Sequence, residues 1–358
     1  MSSYFINNIG GYNYLNVYKF MNLREFSKKV GLPVSTISKA LGGYKDVNSL
    51  TRSKIEALAR KHNYAPNLYA KTLASRNSQS VGLVLPLGYN FIQKNALIDF
   101  IQSIYSKLNE NNIPVIIIFA ENEKDEITAY DKLINYHKVN LIILNDIKFN
   151  DKRIKYLDKL KINYLTWGRC NKKENSYTWI DEDIEHSTSL AVKYIISKNH
   201  KNICFVDSSN NTNYLTLRRK YFFNICKKYK INFIKKNHLK LSPETLIKSK
   251  KILSNYIRSN PNTTMYLLAS HQFANIAIES FRDTQKEIGK NVSLISFDSN
   301  FLESFAPYIT TISQPVNEVN KNLINLIIGK LQNIKINKNY LYKSKLSEMQ
   351  SVVDLKNL

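Results

Sequence analysis

A hydroxyl group and an ammonium group lie four residues apart in the stretch VSTISKAL, at Ser35 and Lys39. If this stretch is a helix, the two side chains share one face, because positions four apart are neighbours on a helix. Ile37, Ala40 and Leu41 then share the opposite, apolar face. Hydroxyl and ammonium groups donate hydrogen bonds to base edges and phosphates, so the pattern is typical of a helix-turn-helix recognition helix. A small helical bundle with a solvated polar face is the alternative.

Two further short helices are predicted on either side of this one. Leu23, Phe26 and Val30 follow the spacing of a buried helical stripe, and Gly31 is expected to end that helix. Asn48 can cap a third helix with its side chain. The apolar stripe of that third helix is predicted to be Ile55, Leu58, Ala59 and His62. The residues that are expected to end it are Asn63, Tyr64 and Pro66.

The residues from Gly31 to Ser75 resemble a protein family. GLPVSTISKALGG is similar to the pattern G-x-S-x-x-T-V-S-R-x-L-N-G of the lactose-repressor family of bacterial regulators, and NYAPNLYAKTLAS is similar to its Y-x-P-N-x-x-A-x-x-L. The resemblance covers nearly all of residues 21–335. It implies an operator-binding head and a hinge over residues 67–74 that becomes helical on DNA, with Leu73 as a wedge in the minor groove. The DNA contacts that it implies are Val34, Ser35, Thr36, Ser38, Lys39, Asn67, Ala70 and Leu73.

Three departures from the family pattern lie in the head. Pro33 replaces the usual capping serine, so that serine's phosphate contact does not carry over, although proline is tolerated at a helix start. Gly42 replaces the usual asparagine. Lys39 replaces the usual arginine, which keeps the positive charge but loses the bidentate fork that reads guanine. The operator preference is therefore expected to differ from that of the best-known family members.

Positive charge is concentrated in the head. Residues 21–76 contain 11 Lys and Arg against 3 Asp and Glu, whereas residues 77–358 contain 40 against 25. The whole chain carries +24, but lysine, asparagine, isoleucine and tyrosine are abundant throughout, so most of this excess reflects composition. The local density in the head is the better indication of nucleic-acid binding.

The rest of the chain alternates short apolar runs with longer amphipathic stretches. Continuous hydrophobicity indicates strands that are buried on both faces of a parallel sheet, so an α/β doubly wound core is predicted. The family resemblance implies that this core is similar to that of the periplasmic binding proteins. Its length suits two lobes with a ligand cleft between them, at the carboxyl ends of the strands. The runs include 81–85, 115–119, 141–144, 203–206, 265–268 and 292–297.

The predicted domain organisation follows from these boundaries. Residues 1–20 are interpreted as a non-native or disordered extension before Met21, residues 21–66 as the helix-turn-helix domain, and residues 67–79 as the hinge and linker. Residues 80–342 form the effector-binding and dimerisation domain, and residues 343–358 a C-terminal tail. The two lobes are predicted to comprise about 80–195 plus 316–342, and 196–315.

Two effector contacts are implied where the resemblance continues into the core. SFDSN is similar to the family's G-[FY]-D-[DN], which places an effector-binding carboxylate at Asp298; a helix-capping role is the alternative. LTLRRKYFF is similar to R-x-x-G-[FY], which places the effector-contacting arginine at Arg218. Arg219 is a rival, and Tyr221 replaces the glycine.

Three further effector candidates lie near other predicted strand ends. WIDEDIEHS is similar to V-D-x-D-N, which makes Asp183 a cleft residue. ASHQFANIAI is similar to A-N-D-x-M-A, with Ser270 and His271 in place of Asn and Asp; a structural role is the alternative for this histidine. Trp167 ends a predicted strand and could stack on a sugar ring, with core packing as the alternative. Some segments are closest to the branch that represses α-glucoside and other sugar operons.

No enzymatic constellation, cofactor motif or metal-ligand spacing is present in the sequence. It contains no Walker phosphate loop, no G-x-S-x-G elbow and no H-E-x-x-H. Three cysteines without C-x-x-C spacing suit a reducing cytoplasm, and no run approaches a membrane span. The expected partners are therefore double-stranded operator DNA and a small effector, most simply a sugar. The alternatives are a non-sugar corepressor such as a purine and, if the basic head is misassigned, a periplasmic-type sugar-binding protein.

A homodimer is expected, because two hinge helices must meet at the centre of a pseudo-palindromic site. Residues 336–358 lack sustained heptads, so a coiled-coil tetramerisation tail is not expected.

Overall fold

The computed structural model describes residues 21–42, 44, 46–65, 79–87, 101–102, 104–173, 176–231, 233–243, 245–297, 306–334 and 339–356. The chain divides into two compact units, residues 1–78 and residues 79–358. The predicted hinge contacts Asn67, Ala70 and Leu73, the predicted effector contact Asp298, and the predicted extension over residues 1–20 lie outside the described residues.

Over residues 21–65, where the structure describes it, the first unit contains three helices, α1 (Leu23–Val30), α2 (Val34–Leu41) and α3 (Ser49–Lys61). Local signals define their ends as predicted. Gly31 ends α1 with φ +68°, and the Asn48 side chain accepts a hydrogen bond from the Leu50 amide at the start of α3. The small core of this unit consists of buried Phe26, Ile37, Ala40, Ile55, Ala59 and Tyr64.

One residue of this core was predicted only as a helix stop. Tyr64 is 8% exposed, and its ring stacks on Phe26 with the ring centres 4.3 Å apart. The contact closes α3 onto α1. It therefore fixes α3 against α1, and Ile37 and Ala40 of α2 pack into the same core, which leaves the opposite face of α2 exposed.

The second unit contains two sheets of six strands. The first sheet has the order β11-β5-β4-β3-β1-β2, and the second has the order β12-β10-β9-β8-β6-β7. All neighbouring strands within the first sheet run parallel, and in the second sheet β12 alone runs antiparallel to its neighbour. The strands are β1 (Val81–Pro86), β2 (Val115–Ala120), β3 (Leu141–Leu144), β4 (Tyr164–Trp167), β5 (Thr178–Glu182), β6 (Ile203–Ser208), β7 (His238–Leu241), β8 (Met265–Leu268), β9 (Ser293–Phe297), β10 (Thr310–Ser313), β11 (Tyr340–Tyr342) and β12 (Lys345–Ser347).

Helices cover both faces of each sheet, which explains the continuous hydrophobicity of the strands. Residues 104–110 are also helical and pack on the first sheet. The other long helices are α4 (Glu123–Asp131, continued by a π-helical turn over Lys132–Tyr136), α5 (Lys152–Lys159), α6 (Ile184–Ser197), α7 (Asn213–Lys228), α8 (Leu246–Ser259), α9 (Ala274–Asp283) and α10 (Val316–Leu331). The predicted doubly wound, two-lobed α/β core is confirmed.

The predicted lobe boundary near residue 195 was wrong. Ala191, Val192 and Ile195 of α6 are buried against Phe205 and Phe222 of the second lobe, so the first lobe ends before α6. An amphipathic crossover helix has an apolar face that fits either sheet, and its sequence alone does not specify which one it covers. The chain returns to the first lobe through α10, whose apolar face packs against that lobe's strands.

The interpretation of residues 343–358 as a tail was also wrong. β12 pairs with β10, and Ser351 Oγ donates to the Leu294 carbonyl at 2.6 Å. His200 Nε2 lies 3.0 Å from the Val353 carbonyl, so the segment closes one side of the second lobe. Its polar sequence hides this role, because the segment is held mainly by hydrogen bonds. Among the helices that the structure describes, none is long and apolar enough to cross a membrane.

Candidate DNA-binding face and effector cleft

The exposed face of α2 carries the predicted base-reading side chains. Ile37 and Ala40 are buried in the head core, whereas Ser35, Ser38 and Lys39 are exposed. Val34 is 39% exposed and Thr36 is half-buried. The structure thus brings all five predicted contacts on α2 to the outside of the head, although contact with DNA itself stays a prediction.

The start of α2 differs from the starts of its two neighbours. In α1, Asn22 and Glu25 form a reciprocal capping box, in which each side chain accepts from the other's backbone amide. Within the described head, no side chain caps α2, and Pro33 contributes only its carbonyl, which accepts from the Ile37 amide at 3.1 Å. The recognition helix therefore begins with uncapped backbone N–H groups that can donate to an anion such as a phosphate.

The one ionisable side chain of α2 is engaged in an ion pair. Lys39 Nζ lies 2.6 Å from Asp46 Oδ2, and both side chains are more than half exposed. The hydrogen bond to Asp46 raises the pKa of the Lys39 ammonium, and the same bond lowers the pKa of the Asp46 carboxyl. Sequence reasoning missed Asp46, because its loop position shows no spacing relation to α2.

A polar cavity of 460 Å³ lies between the two lobes, where strands of both sheets end. The carboxyl ends of β1, β2 and β3 border it on one side, and the loop after β6 borders it on the other. Open parallel sheets bind ligands at this edge. The lining residues are Pro86, Ala120, Glu121, Asn122, Glu126, Asn145, Asp146, Lys148, Arg153, Ser209, Asn210, Asn211, Thr212, Tyr214 and Gln272.

Arg153 organises the first-lobe side of this cavity. Its guanidinium donates to both oxygens of Asp151, at 3.0 and 2.8 Å, to Glu126 at 3.0 Å, and to the carbonyls of Asn145 and Asp146. Burial alone would raise the pKa of Asp151, but the hydrogen bond from Arg153 lowers it. The cation therefore fixes the loop after β3 and is already neutralised. No sequence pattern indicates this role, since an Asp-x-Arg pair is ordinary at a helix start.

The two neighbouring arginines of α7 have separate partners. Arg218 is fully buried, donates to Glu182 Oε2 and to the Ala269 carbonyl, each at 2.6 Å, and lies 4.2 Å above the Phe297 ring. Glu182 also accepts from Ser344 Oγ at 2.6 Å, so this cluster joins β5 to the second lobe.

Arg219 contacts a different carboxylate. It pairs with buried Asp207 at the end of β6, which also accepts from His238 at 2.8 Å. The two arginines therefore lie in separate buried clusters, and only packing distinguishes them.

The remaining described effector candidates have identifiable structural roles. Asp183 caps α6 by accepting from the His186 amide at 3.0 Å, and Ser270 caps the short 3-10 turn His271–Phe273. Trp167 packs against the first-lobe core, as the alternative interpretation held. Among the lining residues, Gln272 follows His271 directly. Ligand contact by these residues stays a prediction, as it does for Asp298.

Comparisons with known proteins agree with this architecture. A model of the periplasmic binding protein-like domain matches residues 192–352. The HTH-type transcriptional regulator RafR of Escherichia coli is 29% identical over 199 residues, which are 56% of this chain and 59% of that protein. The sucrose operon repressor of Lactococcus lactis subsp. lactis is 24% identical over 323 residues, 89% of this chain and 96% of that protein. The crystal structure of the lac repressor dimer bound to operator and the anti-inducer ONPF has the same fold, with a TM-score of 0.78 at 18% identity over 94% of this chain and 100% of that one.

A helix-turn-helix head on the same chain as a two-lobed periplasmic binding protein-like core is the domain organisation of ligand-responsive transcriptional regulators. The chain is similar to HTH-type transcriptional regulators and to a sugar-operon repressor, and it shares the fold of the lac repressor.

Proposed function

We propose that the protein is a homodimeric repressor of a carbohydrate-utilisation operon, and that a small uncharged sugar controls its affinity for the operator. The polar cleft between the strand ends of the two lobes is the observation that carries the sugar assignment. Two relatives support the wider assignment: one is a sucrose operon repressor, and the lac repressor binds its operator as a dimer.

The cleft offers the donors and acceptors that sugar hydroxyls need. Asn122 and Asn145 line the first-lobe side, and Asn210 and Asn211 line the second-lobe side. A side-chain amide donates and accepts hydrogen bonds, as a hydroxyl does. Asn122 already caps α4 by accepting from the Lys124 and Asp125 amides, so the amides of Asn145, Asn210 and Asn211 are the ones that can bind a polyhydroxylated rim without introducing charge. Tyr214 adds a flat ring that can stack on the C–H face of a sugar.

The charge of the cleft favours a neutral ligand. Glu121 and Asp146 lie in the lining, and Lys148 is the cationic lining residue besides Arg153. Arg153 is neutralised by its own carboxylates. A phosphorylated effector would add negative charge beside these carboxylates, and a phosphate site normally provides a bidentate guanidinium for it. A sugar phosphate is therefore disfavoured relative to the free sugar.

Arg218 and Asp183 enter this proposal as residues that connect the lobes, because Arg218 of α7 donates to Glu182 of β5 and the Asp183 amide, at the start of α6, donates to the Tyr342 carbonyl of β11. A ligand that reaches the Arg218 guanidinium must replace Glu182 or the Ala269 carbonyl, since the side chain is fully buried between them. Ligand binding then alters the contacts between the lobes. The operator affinity responds by the ratio of the ligand's affinities for the two arrangements. The protein would act on DNA in the cytoplasm, without a cofactor and without chemical turnover of the ligand.

The test is a thermal-shift screen of the full chain with sucrose, raffinose, cellobiose, glucose, glucose 6-phosphate, adenine and guanine. A neutral sugar is expected to raise Tm. The double variant Asn210→Ala/Asn211→Ala is expected to lose that shift, whereas Asn322→Ala, on the exposed side of α10, is expected to keep it.

The same ligand should then alter binding to an operator selected from a random pseudo-palindromic library. A shift with a purine and none with a sugar would replace the sugar by a nucleobase corepressor. A shift with glucose 6-phosphate alone would contradict the charge argument.

A further inference from the structure

The recognition helix has one long side chain with which to reach DNA. Among the exposed positions of α2, Val34, Ser35 and Ser38 have short side chains, and Lys39 alone can reach far from the helix. A lysine directs its hydrogen bonds less sharply than an arginine does, because its ammonium is a rotatable point charge on a flexible stem. Anything that fixes the direction of the ammonium therefore sharpens the base preference at this position.

Asp46 provides a fixed partner for that ammonium. The Nζ to Oδ2 distance is 2.6 Å, which is a short charge-assisted hydrogen bond. The carboxylate comes from the loop between α2 and α3, seven residues after Lys39. The partner is thus outside the helix that it constrains.

The backbone on either side of Asp46 is anchored to the head. The Tyr44 amide donates to the Lys39 carbonyl at 3.2 Å, and the Tyr44 carbonyl accepts from the Val47 amide and from Arg52 Nη2. Val47 packs against the head core. These contacts join the loop to both α2 and α3, so the backbone that carries the Asp46 carboxylate is held in place by the fold of the head.

We propose that Asp46 is a specificity-determining residue that orients Lys39 for base recognition. An ammonium group has three N–H donors, and the bond to Asp46 uses one. The other two are then directed away from Asp46, and a purine edge with two adjacent acceptors, guanine O6 and N7, can accept them. The pair recovers part of the directionality that an arginine fork would supply. This inference rests on the proposed DNA-binding function.

The Asp46 carboxylate has a second effect, on the discrimination between operator and non-operator DNA. It places a negative charge beside the side chain that approaches DNA, and this charge repels phosphates at every sequence alike. Binding to non-operator DNA, which depends almost wholly on phosphate contacts, is therefore weakened, while a correctly placed guanine offsets the repulsion at the operator. Both effects raise the ratio of operator to non-operator affinity.

The experiment selects binding sites from a randomised pseudo-palindromic duplex library with the full-length protein and sequences the bound fraction. The proteins are wild type, Asp46→Asn, Lys39→Met, the double variant, and Glu56→Gln as a control that removes one acidic charge from α3 of the same head. Circular dichroism verifies that each variant keeps the helical head.

The preferred base opposite Lys39 is identified as the position at which Lys39→Met loses its preference. At that position Asp46→Asn is expected to reduce the preference about fivefold, at the low end of what a good base contact supplies. It should also bind non-operator DNA more tightly than wild type. The double variant should show the same base preference as Lys39→Met, since Asp46 acts through Lys39, and Glu56→Gln should keep the wild-type preference.

The proposal is overturned if Asp46→Asn keeps or sharpens the base preference, or if it changes preference at positions that Lys39→Met leaves unchanged. An unchanged preference with tighter non-operator binding would reduce Asp46 to a simple repulsive charge. If the wild-type protein enriches no sequence at all, the DNA-binding function itself fails, and the inference fails with it. The two failures are therefore distinguishable.

Discussion

Removal of the Glu182 carboxylate should destabilise the core more than removal of any exposed carboxylate. The side chain of Arg218 is 0% exposed and that of Glu182 is 7% exposed, with Nη2 and Oε2 2.6 Å apart. Glu182→Ala leaves the guanidinium buried beside a carbonyl and two aromatic rings, and it removes the acceptor of Ser344. Loss of one partner of a buried pair costs about 3–5 kcal/mol, so we expect a loss of this size in the free energy of unfolding.

Urea titration followed by tryptophan fluorescence measures this loss, because both tryptophans of the sequence lie in the first lobe. Glu110→Ala, which breaks an exposed pair with Lys107, is the control and should have a much smaller effect. Glu182→Leu combined with Arg218→Met should recover most of the lost stability, because an apolar pair of similar volume leaves no buried charge. An unfolding midpoint for Glu182→Ala equal to that of Glu110→Ala would refute the assignment of a buried, mutually dependent pair.

Two further predictions concern the second lobe and the head. Burial would raise the pKa of Asp207, but hydrogen bonds from His238 and Arg219 lower it, so its stabilisation is complete above its unfolded pKa and is lost as the pH falls through the folded value. Acid titration of stability should therefore show less loss below about pH 4 for Asp207→Asn than for wild type, and an identical acid slope would contradict this. Pro33→Ser should add a side-chain cap to α2 and stabilise the head by about 1 kcal/mol. Hydrogen exchange of the head amides measures this change, and unaltered protection of α2 would count against it.

The head could be predicted in detail because its signals are local. Gly31, Asn48 and the apolar stripe through Phe26 and Ile37 act within one or two helical turns, and the structure places each as expected. The Lys39 to Asp46 bond was missed because it joins two elements whose approach is a tertiary property.

The strands of the core could be predicted from the sequence, but the partners of its buried arginines could not. Buried strands are recognisable as apolar runs, whereas the partners of Arg153, Arg218 and Arg219 come from distant strands and loops. The different partners of the neighbouring Arg218 and Arg219 can be assigned only when the surrounding packing is known. The lobe to which α6 belongs was unpredictable for the same reason, since a helix with one apolar face fits either sheet equally well.

The last strand of each sheet has a consequence for synthesis of the chain. β11 and β12 are both outermost strands, and only residues 343 and 344 separate them. Until these residues have left the ribosome, β5 and β10 are unpaired edges in two incomplete sheets, and unpaired edges are prone to association with other chains. Because one short segment completes both lobes, neither lobe can finish folding well ahead of the other. A nascent chain that stops before residue 340 would therefore expose the unpaired edge strands β5 and β10 at the same time. Such a chain is a target for chaperones and proteases.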